Sequence, residues 1–461
     1  MIPRTWFWLG LILAPLLLSC VPPGADPATK EAGGAKSVLV IAESSALAMK
    51  KVLAAEGTVT HELPILNAVG AELEPISLEA LTEDPQISRL VIDSNDSTSE
   101  QVDEATSLEA ISWLTQDTGG PSQNRWLESL VGSESHGLTG QGIGLAIIDT
   151  GIAKTDERIG WQPNVIARYN ALTNSESDEL RDSTGHGTHI TSLISGVSSR
   201  LQGIAPKASL IVVKAFDSTD NANFLDVIRA VQWVTTNKDR LGIRVLNLSV
   251  SASSELPYHI DPLNRALTKA WNSGLVVVVS AGNSGPDEST ITAPGNNPWL
   301  ISVGAASINI LDQLIEIAPF SGRGPTASGH IKPNIVAPGV RLKGLLPSTA
   351  KRPKHEPTEI NDAGLWVTSG ASQASAVVAG MVTLLLEARP DLSNEDVKCL
   401  LGNSASPLFP EADTPLSPMA QGRGLINLSA ALTSTATHCP ERLEGFSPNS
   451  PIEGAYAPKP R

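Results

Sequence analysis

The sequence is poor in basic residues and cysteines. Its 461 residues include 33 Lys and Arg against 48 Asp and Glu, which gives a net charge of −15, and no run of basic residues occurs. Because nucleic acids and anionic membrane surfaces are bound through clustered Lys and Arg, neither is expected as a partner. The length gives room for two or three domains, one of them large.

Long apolar runs are also missing, apart from one near the N-terminus. It extends from Trp6 to Leu18, follows Arg4 and is too short to cross a bilayer comfortably. This pattern predicts an export signal over residues 1–20. The last four residues of the signal resemble the processing box of bacterial lipoproteins, in which Cys20 becomes the lipidated first residue. Ordinary signal cleavage further on is the alternative, so the protein is expected at the cell envelope or outside the cell.

Only three cysteines are present, and two remain if Cys20 carries a lipid: Cys399 and Cys439. An exported protein enters a compartment that permits disulfides, so these two can form a bridge. The bridge would close a loop of about 40 residues and add about 4 kcal/mol in the chain-entropy model. Two unrelated thiols are the alternative.

Composition divides the first part of the chain into three segments. Residues 21–36 are small, polar and rich in Pro and Gly, as in a flexible tether. Residues 37–94 alternate between strand and helix patterns in the order β-α-β-β-α-β, which predicts a small α+β ferredoxin-like domain. Residues 95–125 are rich in Ser, Asp, Glu, Thr and Gly without a clear period and are expected to form a linker.

The largest segment, residues 126–440, contains continuous β-branched apolar runs separated by helical patterns. Such runs predict strands buried on both faces, so the expected fold class is α/β with a mainly parallel sheet flanked by helices. The tail, residues 441–461, has four prolines and little to bury and is expected to be disordered. The predicted strands cover residues 144–148, 210–215, 244–249, 275–280 and 300–304, and the predicted helices cover residues 224–237 and 261–272.

Catalytic and ligand sites in such sheets lie at the carboxyl ends of the strands. The first predicted strand of the large segment ends in Asp149-Thr150-Gly151. The same tripeptide marks aspartic peptidases, but those need two carboxylates from a second copy or a dimer, and no second copy is found. An Asp that caps a turn after a strand is the other alternative.

A histidine between glycines follows at Gly185-His186-Gly187-Thr188-His189, just before a segment with helical apolar spacing. Glycines allow a tight turn and leave the imidazole unobstructed, as a general base requires. Two histidines three residues apart also suggest a metal site. No third ligand follows at zinc spacing, so no metal is assigned.

Two further positions place a polar group near the end of a buried element. Asn283 follows a buried strand, where its amide can donate to an oxyanion; a turn Asn is the alternative. Ser372 lies in the small-residue stretch 369–380, which runs into an apolar helix. Its hydroxyl is therefore expected at a helix N-terminus, where free N–H groups favour negative charge, although an ordinary N-cap Ser is the commoner case.

In this order, the four motifs resemble those of the subtilisin-like serine peptidases, the subtilases, whose triad runs Asp, His, Ser along the chain. The resemblance covers residues 126–432. Further similar segments lie between the motifs, at residues 203–206, 245–249, 293–295, 320–325 and 332–339.

The resemblance implies a serine endopeptidase. Ser372 would attack the peptide carbonyl, His186 would transfer the proton, and Asp149 would orient the imidazole. The amide of Asn283 and the backbone N–H of Ser372 would bind the oxyanion. An edge strand would pair with an extended substrate, and its residues would be Ser249, Val250 and Ser251.

The resemblance also assigns the domain at residues 37–94 as a propeptide, which assists folding, inhibits the enzyme and is cut off between Asn95 and Gln123. An unrelated module that stays attached is the alternative.

Protein or peptide substrates and a monomer are expected, and the chemistry needs no cofactor. Structural Ca²⁺ is common in the family, and the loop from Asp217 to Asn223 is a candidate site, with a solvated loop as the alternative.

The chain departs from the family pattern Gly-Thr-Ser-Met-Ala-x-Pro at Ala371, Gln373 and Ala376, and Ser251 stands where the substrate-binding strand usually has Gly. The three triad positions and the oxyanion Asn are intact, so an active enzyme is expected. The alternative is a catalytically weak or inactive binding protein at the cell envelope that keeps the fold. An esterase using Ser372 is disfavoured, because the Gly-x-Ser-x-Gly elbow is missing.

Overall fold

The computed structural model describes residues 34–92, 97–98, 137–153, 161–197, 201–219, 221–252, 256–309, 314–348, 350, 359–360, 365–409 and 415–435. The export signal, Cys20, Cys439 and the C-terminal tail lie outside these residues, as do most of the tether and of the linker. The expectations for those segments stay predictions.

The small N-terminal unit has the predicted α+β element order and the ferredoxin-like arrangement. Its sheet has the order β2-β3-β1-β4, and every neighbouring pair is antiparallel. The elements are β1 (Lys36–Ala42), α1 (Ser45–Ala54), β2 (Thr58–Leu63), a 3₁₀ turn (Pro64–Leu66), β3 (Ala68–Leu73), α2 (Pro75–Thr82) and β4 (Ile87–Ile92).

β1 is buried on both faces, and the period of two along the strand divides its side chains between two cores. Val38 and Val40 pack with α1 in the core of the small unit. Leu39 and Ile41 point the other way and belong to the main core of the whole chain. The sheet therefore has helices on one face and the large unit on the other.

The large unit is built on one nine-stranded sheet, with strand order β15-β14-β13-β11-β6-β9-β7-β8 and β16 beside β14. The strand pairs are parallel except β14 with β15 and β7 with β8, at the two ends of the sheet. This confirms the predicted fold class. The strands are β6 (Gly144–Asp149), β7 (Val165–Asn170), β8 (Ser175–Glu176), β9 (Ser209–Lys214), β11 (Ile243–Leu248), β13 (Val276–Ser280), β14 (Ile301–Asn309), β15 (Leu314–Ile317) and β16 (Ile335–Pro338).

Helices cover this sheet, and the two predicted ones are present. α3 packs on α6 and on the central strand β6, and α4 packs on α5 and on the central strands β6 and β11. α6 is long and apolar enough to cross a membrane, but it is 89% buried inside the protein and is its core helix. The helices are α3 (His186–Ser195), α4 (Phe224–Leu241), α5 (Pro262–Asn272), α6 (Ala371–Ala388), α7 (Asn394–Ser404), α8 (Pro418–Gln421) and α9 (Leu428–Thr433).

Six short strands form two further sheets, each of three strands. One has the order β10-β5-β12, from β5 (Ser97–Thr98), β10 (Asn221–Ala222) and β12 (Ser251–Ala252). The other has the order β17-β19-β18, from β17 (Leu342–Leu345), β18 (Glu359–Ile360) and β19 (Leu365–Thr368). β5 belongs to the segment predicted as a linker, so two residues of that linker form a strand.

The small unit packs on α4 and α5 of the large unit. Its apolar outer face joins the core of the large unit through Leu39, Ile41, Leu63, Leu66 and Ala68. Polar contacts border this face. The Asp226 carboxylate on α4 lies 3.0 Å from His61 Nε2, Arg229 donates to the Thr60 carbonyl at 2.9 Å, and the Gln232 side chain accepts from the Ile65 N–H at 3.0 Å.

Candidate active site

Two predicted catalytic residues meet at the carboxyl end of the central strand β6. Asp149 is the last residue of β6, and His186 is the first residue of α3. The His186 Nδ1 atom lies 2.8 Å from Asp149 Oδ1, and the two residues are 5% and 1% exposed. A carboxylate at Nδ1 fixes the proton there and leaves Nε2 as the basic nitrogen. The pair therefore has the geometry of a general base with its orienting acid.

The glycines beside the histidine let α3 approach the end of β6. Gly185 caps the helix with φ of 103°, in the left-handed region that favours glycine. A Cβ atom on Gly187 would lie 2.3 Å from the Gly151 carbonyl oxygen and 3.0 Å from Asp149 Oδ1. Any side chain at residue 187 would therefore push the histidine helix away from the aspartate. His186 had been expected just before the helix and is instead its first residue.

Asp182 links the segment that carries Asp149 to the helix that carries His186. The sequence analysis did not identify this role. Its Oδ1 atom accepts from Thr150 Oγ1 at 2.9 Å and from the Gly185 N–H at 2.8 Å. Its Oδ2 atom accepts from the N–H and the hydroxyl of Thr188 at 2.8 and 2.7 Å. The carboxylate satisfies N–H groups at the start of α3 and favours the positive end of the helix. An acidic residue just before a helix was the signal that could have revealed it.

Ser372 is the second residue of α6 and is 1% exposed. Its hydroxyl donates to the Ser249 carbonyl at 3.1 Å, and the Ser249 hydroxyl donates to the Ser372 carbonyl at 3.3 Å. These two bonds join the end of β11 to the start of α6. A hydroxyl carries one proton, so in this rotamer the Ser372 proton points at the Ser249 carbonyl oxygen. Attack on a substrate requires the hydroxyl to redirect that proton to the base.

Asn283 lies against the start of the same helix. Its Oδ1 atom accepts from the Ala371 N–H at 2.7 Å, which makes the amide nitrogen the donor end of the side chain. The position that a Cβ atom would take on Gly370 is 3.3 Å from that nitrogen. The donor end therefore lies next to the turn that leads into Ser372. This is the arrangement that an oxyanion site requires: an amide N–H and helix N-terminal N–H groups in one place.

His189 is fully buried one turn after His186. Burial, and to a smaller extent the neighbouring His186, lower the pKa of His189 to about 3, while hydrogen bonds with the Leu342 and Trp366 backbone oppose the shift. The ring is therefore neutral, with Nε2 at 3.2 Å from the Leu342 carbonyl and an edge-to-face contact with Trp366. Among the residues that the structure describes, no group of three or more His, Cys, Asp or Glu side chains could hold a metal ion.

The predicted substrate strand lies beside these residues. Ser249 and Val250 follow β11 and are buried, and Ser251 starts β12. Ala252 exchanges two backbone hydrogen bonds with Ala293, of 2.9 and 3.0 Å, which fixes β12 to the loop after β13. The other edge of β12 pairs with β5, residues of the same chain. An extended backbone therefore already occupies the groove between β10 and β12.

The positions that depart from the family pattern are buried in the first turns of α6: Ala371, Gln373 and Ala376. The Ala371 N–H holds Asn283, a bond that any residue except proline retains. The replacement of the usual Thr by Ala therefore leaves the Asn283 contact in place.

The other predicted sites have mixed outcomes. Cys399 is disulfide-bonded, but Cys439 lies outside the described residues, so their pairing stays a prediction. In the loop predicted for calcium, Asp217 accepts from the backbone N–H groups of Thr219 and Asn221. Burial would raise the pKa of Asp217, but these hydrogen bonds and the Thr219 hydroxyl outweigh it and lower the pKa. The carboxylate thus closes its own loop, and calcium binding there stays a prediction.

Comparisons with known proteins agree with this geometry. The serine protease AprX of Bacillus subtilis (strain 168) is 35% identical over 301 residues, which are 63% of this chain and 66% of AprX. Subtilisin of Bacillus pumilus is 30% identical over 302 residues, which are 64% of this chain and 93% of that protein.

A solved structure shows the same fold. Fervidolysin from Fervidobacterium pennivorans, a keratinolytic enzyme related to subtilisin, superimposes with a TM-score of 0.65 at 22% identity, covering 88% of this chain and 62% of fervidolysin. The model of the subtilase family matches residues 140–436, well over half of the sequence. The chain therefore belongs to the subtilase family of serine endopeptidases.

Proposed function

We propose that this protein is an exported serine endopeptidase, made as a zymogen that processes itself, and that it hydrolyses peptide bonds through an acyl-enzyme. The observation that carries the proposal is the buried Asp149–His186 pair, with 2.8 Å between Oδ1 and Nδ1. The helix that begins with His186 packs on α6, whose second residue is Ser372.

In the proposed reaction the Ser372 hydroxyl attacks the peptide carbonyl and His186 Nε2 takes its proton. Asp149 accepts the Nδ1–H bond throughout, holding the tautomer and stabilising the imidazolium. His186 then protonates the leaving amine, and the acyl group stays on Ser372 as an ester. Water, deprotonated by His186, hydrolyses that ester and restores the hydroxyl.

The tetrahedral intermediate carries its negative charge on the former carbonyl oxygen. The Ser372 N–H, at the positive end of α6, and the amide nitrogen of Asn283 are the proposed donors. The Ala371 N–H bond to Asn283 supports this, because it fixes the amide before the substrate arrives. Loss of one such side-chain donor costs about 10²- to 10³-fold in turnover in related enzymes.

The docked small unit supports inhibition by the chain's own propeptide. It covers α4 and α5 through apolar side chains and forms hydrogen bonds with α4. β5, which follows it along the chain, pairs with β10 and β12, the backbone edges that a bound peptide would need. The proposed substrates are therefore proteins or peptides with extended segments, which compete with residues 97–98 for the groove.

The proposed location rests on the sequence alone. The apolar run at residues 6–18 supports export, and Cys20 supports a lipid anchor at the cell envelope, with release outside the cell as the alternative. The proposal assigns no cofactor to the chemistry, no nucleic acid partner and a monomeric state. A structural Ca²⁺ in the loop at residues 217–223 remains a prediction.

The test is labelling by a fluorophosphonate probe, which reacts with an activated serine. The purified mature protein is expected to label at Ser372, and Ser372→Ala is expected not to label. Absence of labelling in wild type, with the variant indistinguishable from it, would instead support an inactive binding protein at the cell envelope.

A further inference from the structure

The residue after the candidate nucleophile carries a buried amide. Gln373 is the third residue of α6 and is 3% exposed. Within the part of the chain that the structure describes, this amide forms no hydrogen bond. Burying an amide without a partner costs free energy, so its presence here calls for a reason. The family pattern has Met at this position, whose thioether is only a weak acceptor, so the amide is a departure of this chain from the pattern.

The Gln373 amide lies beside the proposed oxyanion donor. The position that a Cβ atom would take on Gly370 is 2.5 Å from Gln373 Oε1 and 3.3 Å from Asn283 Nδ2. The two atoms are therefore no farther apart than the sum of these distances. Glycine leaves the space between them open, since a side chain at residue 370 would collide with the Gln373 oxygen. An acceptor and a donor thus border the same small space at the start of α6.

Helix capping does not account for this placement. A Gln at the third helical position often turns back to bind the N–H of the N-cap residue. The N-cap here is Gly370, and its N–H already donates to the Gly339 carbonyl at 2.8 Å. The next N–H, that of Ala371, donates to Asn283 Oδ1 at 2.7 Å. The Gln373 oxygen is therefore available to another donor.

We propose that Gln373 is a positioning residue for the oxyanion donor: its Oε1 atom accepts one N–H of the Asn283 amide and leaves the other N–H for the oxyanion. This rests on the proposed peptidase function. A primary amide has two N–H groups, and the bond from Ala371 fixes only the oxygen end of Asn283. The last torsion of a glutamine has a broad energy minimum, so a rotation of the Gln373 amide closes the remaining gap at little cost.

This hydrogen bond is expected to strengthen during the reaction. As negative charge develops on the substrate oxygen, the Asn283 amide that binds it is polarised, and hydrogen bonds in a chain polarise one another. Gln373 therefore stabilises the transition state more than the bound substrate. Its loss is expected to lower kcat and to leave KM unchanged.

The first experiment replaces the amide by the residue of the family pattern. Gln373→Met keeps an unbranched side chain of similar length. It is expected to lower kcat for a peptide-amide substrate by about 3- to 10-fold, the range of one neutral hydrogen bond. KM is expected to stay unchanged, and so is the unfolding temperature measured in the Ser372→Ala background. An unchanged kcat overturns the proposal. A raised KM with an unchanged kcat also overturns it, because Gln373 would then bind substrate directly.

The matched control is Gln421→Met. Gln421 is also 3% exposed, but its amide is hydrogen-bonded: Oε1 accepts from the Leu408 N–H at 2.7 Å, and Nε2 donates to the Leu416 carbonyl at 2.6 Å. This substitution is expected to lower the unfolding temperature and to leave kcat unchanged. The pair of variants thus separates a positioning role from a structural one. If Gln373→Met instead lowers the unfolding temperature as Gln421→Met does, with kcat unchanged, Gln373 is structural.

The second experiment tests whether Gln373 acts through Asn283. Gln373→Met is combined with Asn283→Ala, which keeps a residual turnover from the remaining N–H groups of the oxyanion site. In this background Gln373→Met is expected to have no further effect on kcat. A loss of the same size in both backgrounds shows that the two residues act independently and overturns the proposal. Equal losses with normal wild-type turnover leave the peptidase function standing, whereas a wild type without turnover counts against that function itself.

Discussion

Asp182 holds together the two segments that carry the candidate base and its acid. Its carboxylate binds Thr150, next to Asp149, and also binds the N–H and hydroxyl of Thr188 in the histidine helix. Each oxygen accepts at least two donors, so both must be acceptors. An amide in the same place offers only one acceptor and turns an NH₂ group toward other donors.

Asp182→Asn is therefore expected to lower kcat by about 10- to 100-fold, which corresponds to loss of about 1.5 to 3 kcal/mol from hydrogen bonds to a charged group. The measurement is peptide hydrolysis under saturating substrate. Asp178→Asn is the matched control, because Asp178 is exposed on the segment that leads to Asp182. Equal rates for wild type and Asp182→Asn would show that Asp182 does not position the pair.

His189 gives a pH dependence that can be worked out from its burial. Its pKa is about 3 in the folded protein, against 6.5 for an unperturbed histidine. Between these values the unfolded chain binds a proton that the folded protein does not, so stability is full above pH 6.5 and falls as the pH drops toward 3. The slope from this group approaches about 1.4 kcal/mol per pH unit inside the window.

His189→Gln is expected to flatten the acid side of the stability curve, because glutamine does not titrate and its amide can replace the Nε2 bond to Leu342. Denaturant unfolding from pH 7 to pH 4, in the Ser372→Ala background to prevent self-digestion, measures the slope. Identical slopes with and without the histidine would contradict a buried neutral His189.

At the scale of elements, the site forms only if the backbone of α3 can come close to the end of β6. α3 lies so close to the end of β6 that a Cβ on Gly187 would be 2.3 Å from the Gly151 carbonyl oxygen. Backbone atoms cannot yield as the end of a flexible side chain can. The Asp149–His186 bond therefore depends on a residue without a side chain at this point of the helix.

Gly187→Ala is expected to reduce activity by at least about 100-fold and to destabilise the protein by about 1 to 3 kcal/mol, the usual range for overpacking. Gly402→Ala in α7 is the control, since the nearest atom to its added Cβ would be 3.6 Å away. Alanine there is expected to be neutral or stabilising by up to about 1 kcal/mol. The measurements are the turnover rate and the thermal unfolding temperature of both variants. Normal activity in Gly187→Ala would contradict the close contact between α3 and the end of β6.

The elements show which kinds of structure the sequence could predict. The parallel strands were predictable because continuous apolar runs have few alternatives, and the strand predicted at residues 144–148 is only one residue shorter than β6. The last turn of α4 was missed, because Lys238, Asp239 and Arg240 carry no apolar signal. The pairing of β5 with β12 was also missed, since two polar residues carry no period and the partner lies more than 150 residues along the chain.

The same limit applies to the site. Asp149, His186, Asn283 and Ser372 stand in local motifs with glycines, which is why the sequence indicates them. Asp182 stands in the same stretch as His186, but its function comes from contacts with Thr150 on another segment. Such contacts have no one-dimensional pattern.

At the scale of the whole molecule, the chain is two units that share apolar surface. The sequence predicted the small unit and its fold class but not the surface on which it packs. Both faces of its sheet are apolar, and the sequence does not say which face contacts the large unit. Leu66 in the 3₁₀ turn is 3% exposed and belongs to the core of the large unit, whereas Leu53 on α1 is 59% exposed. Truncating Leu66 removes a contact between the two units, whereas truncating Leu53 removes none. Comparing the two variants therefore measures how much docking of the small unit contributes to stability.

Leu66→Ala in the Ser372→Ala background is expected to cost about 2 to 5 kcal/mol, the usual range for a buried leucine. Leu53→Ala is expected to change stability by less than about 0.5 kcal/mol. Unfolding of the uncut precursor by denaturant measures both. A small, equal effect of the two substitutions would mean that the small unit is not held by this face.

The central claim is that Asp149, His186 and Ser372 act as one catalytic unit, and the most direct test is turnover of a peptide-amide substrate by Ser372→Ala, His186→Ala and the double variant. Residues that act as a unit are not additive, so each single variant is expected to lose at least about 10⁴-fold in kcat, and the double variant no more than either alone. Losses that multiply in the double variant, or a Ser372→Ala protein that turns over like wild type, would contradict the account.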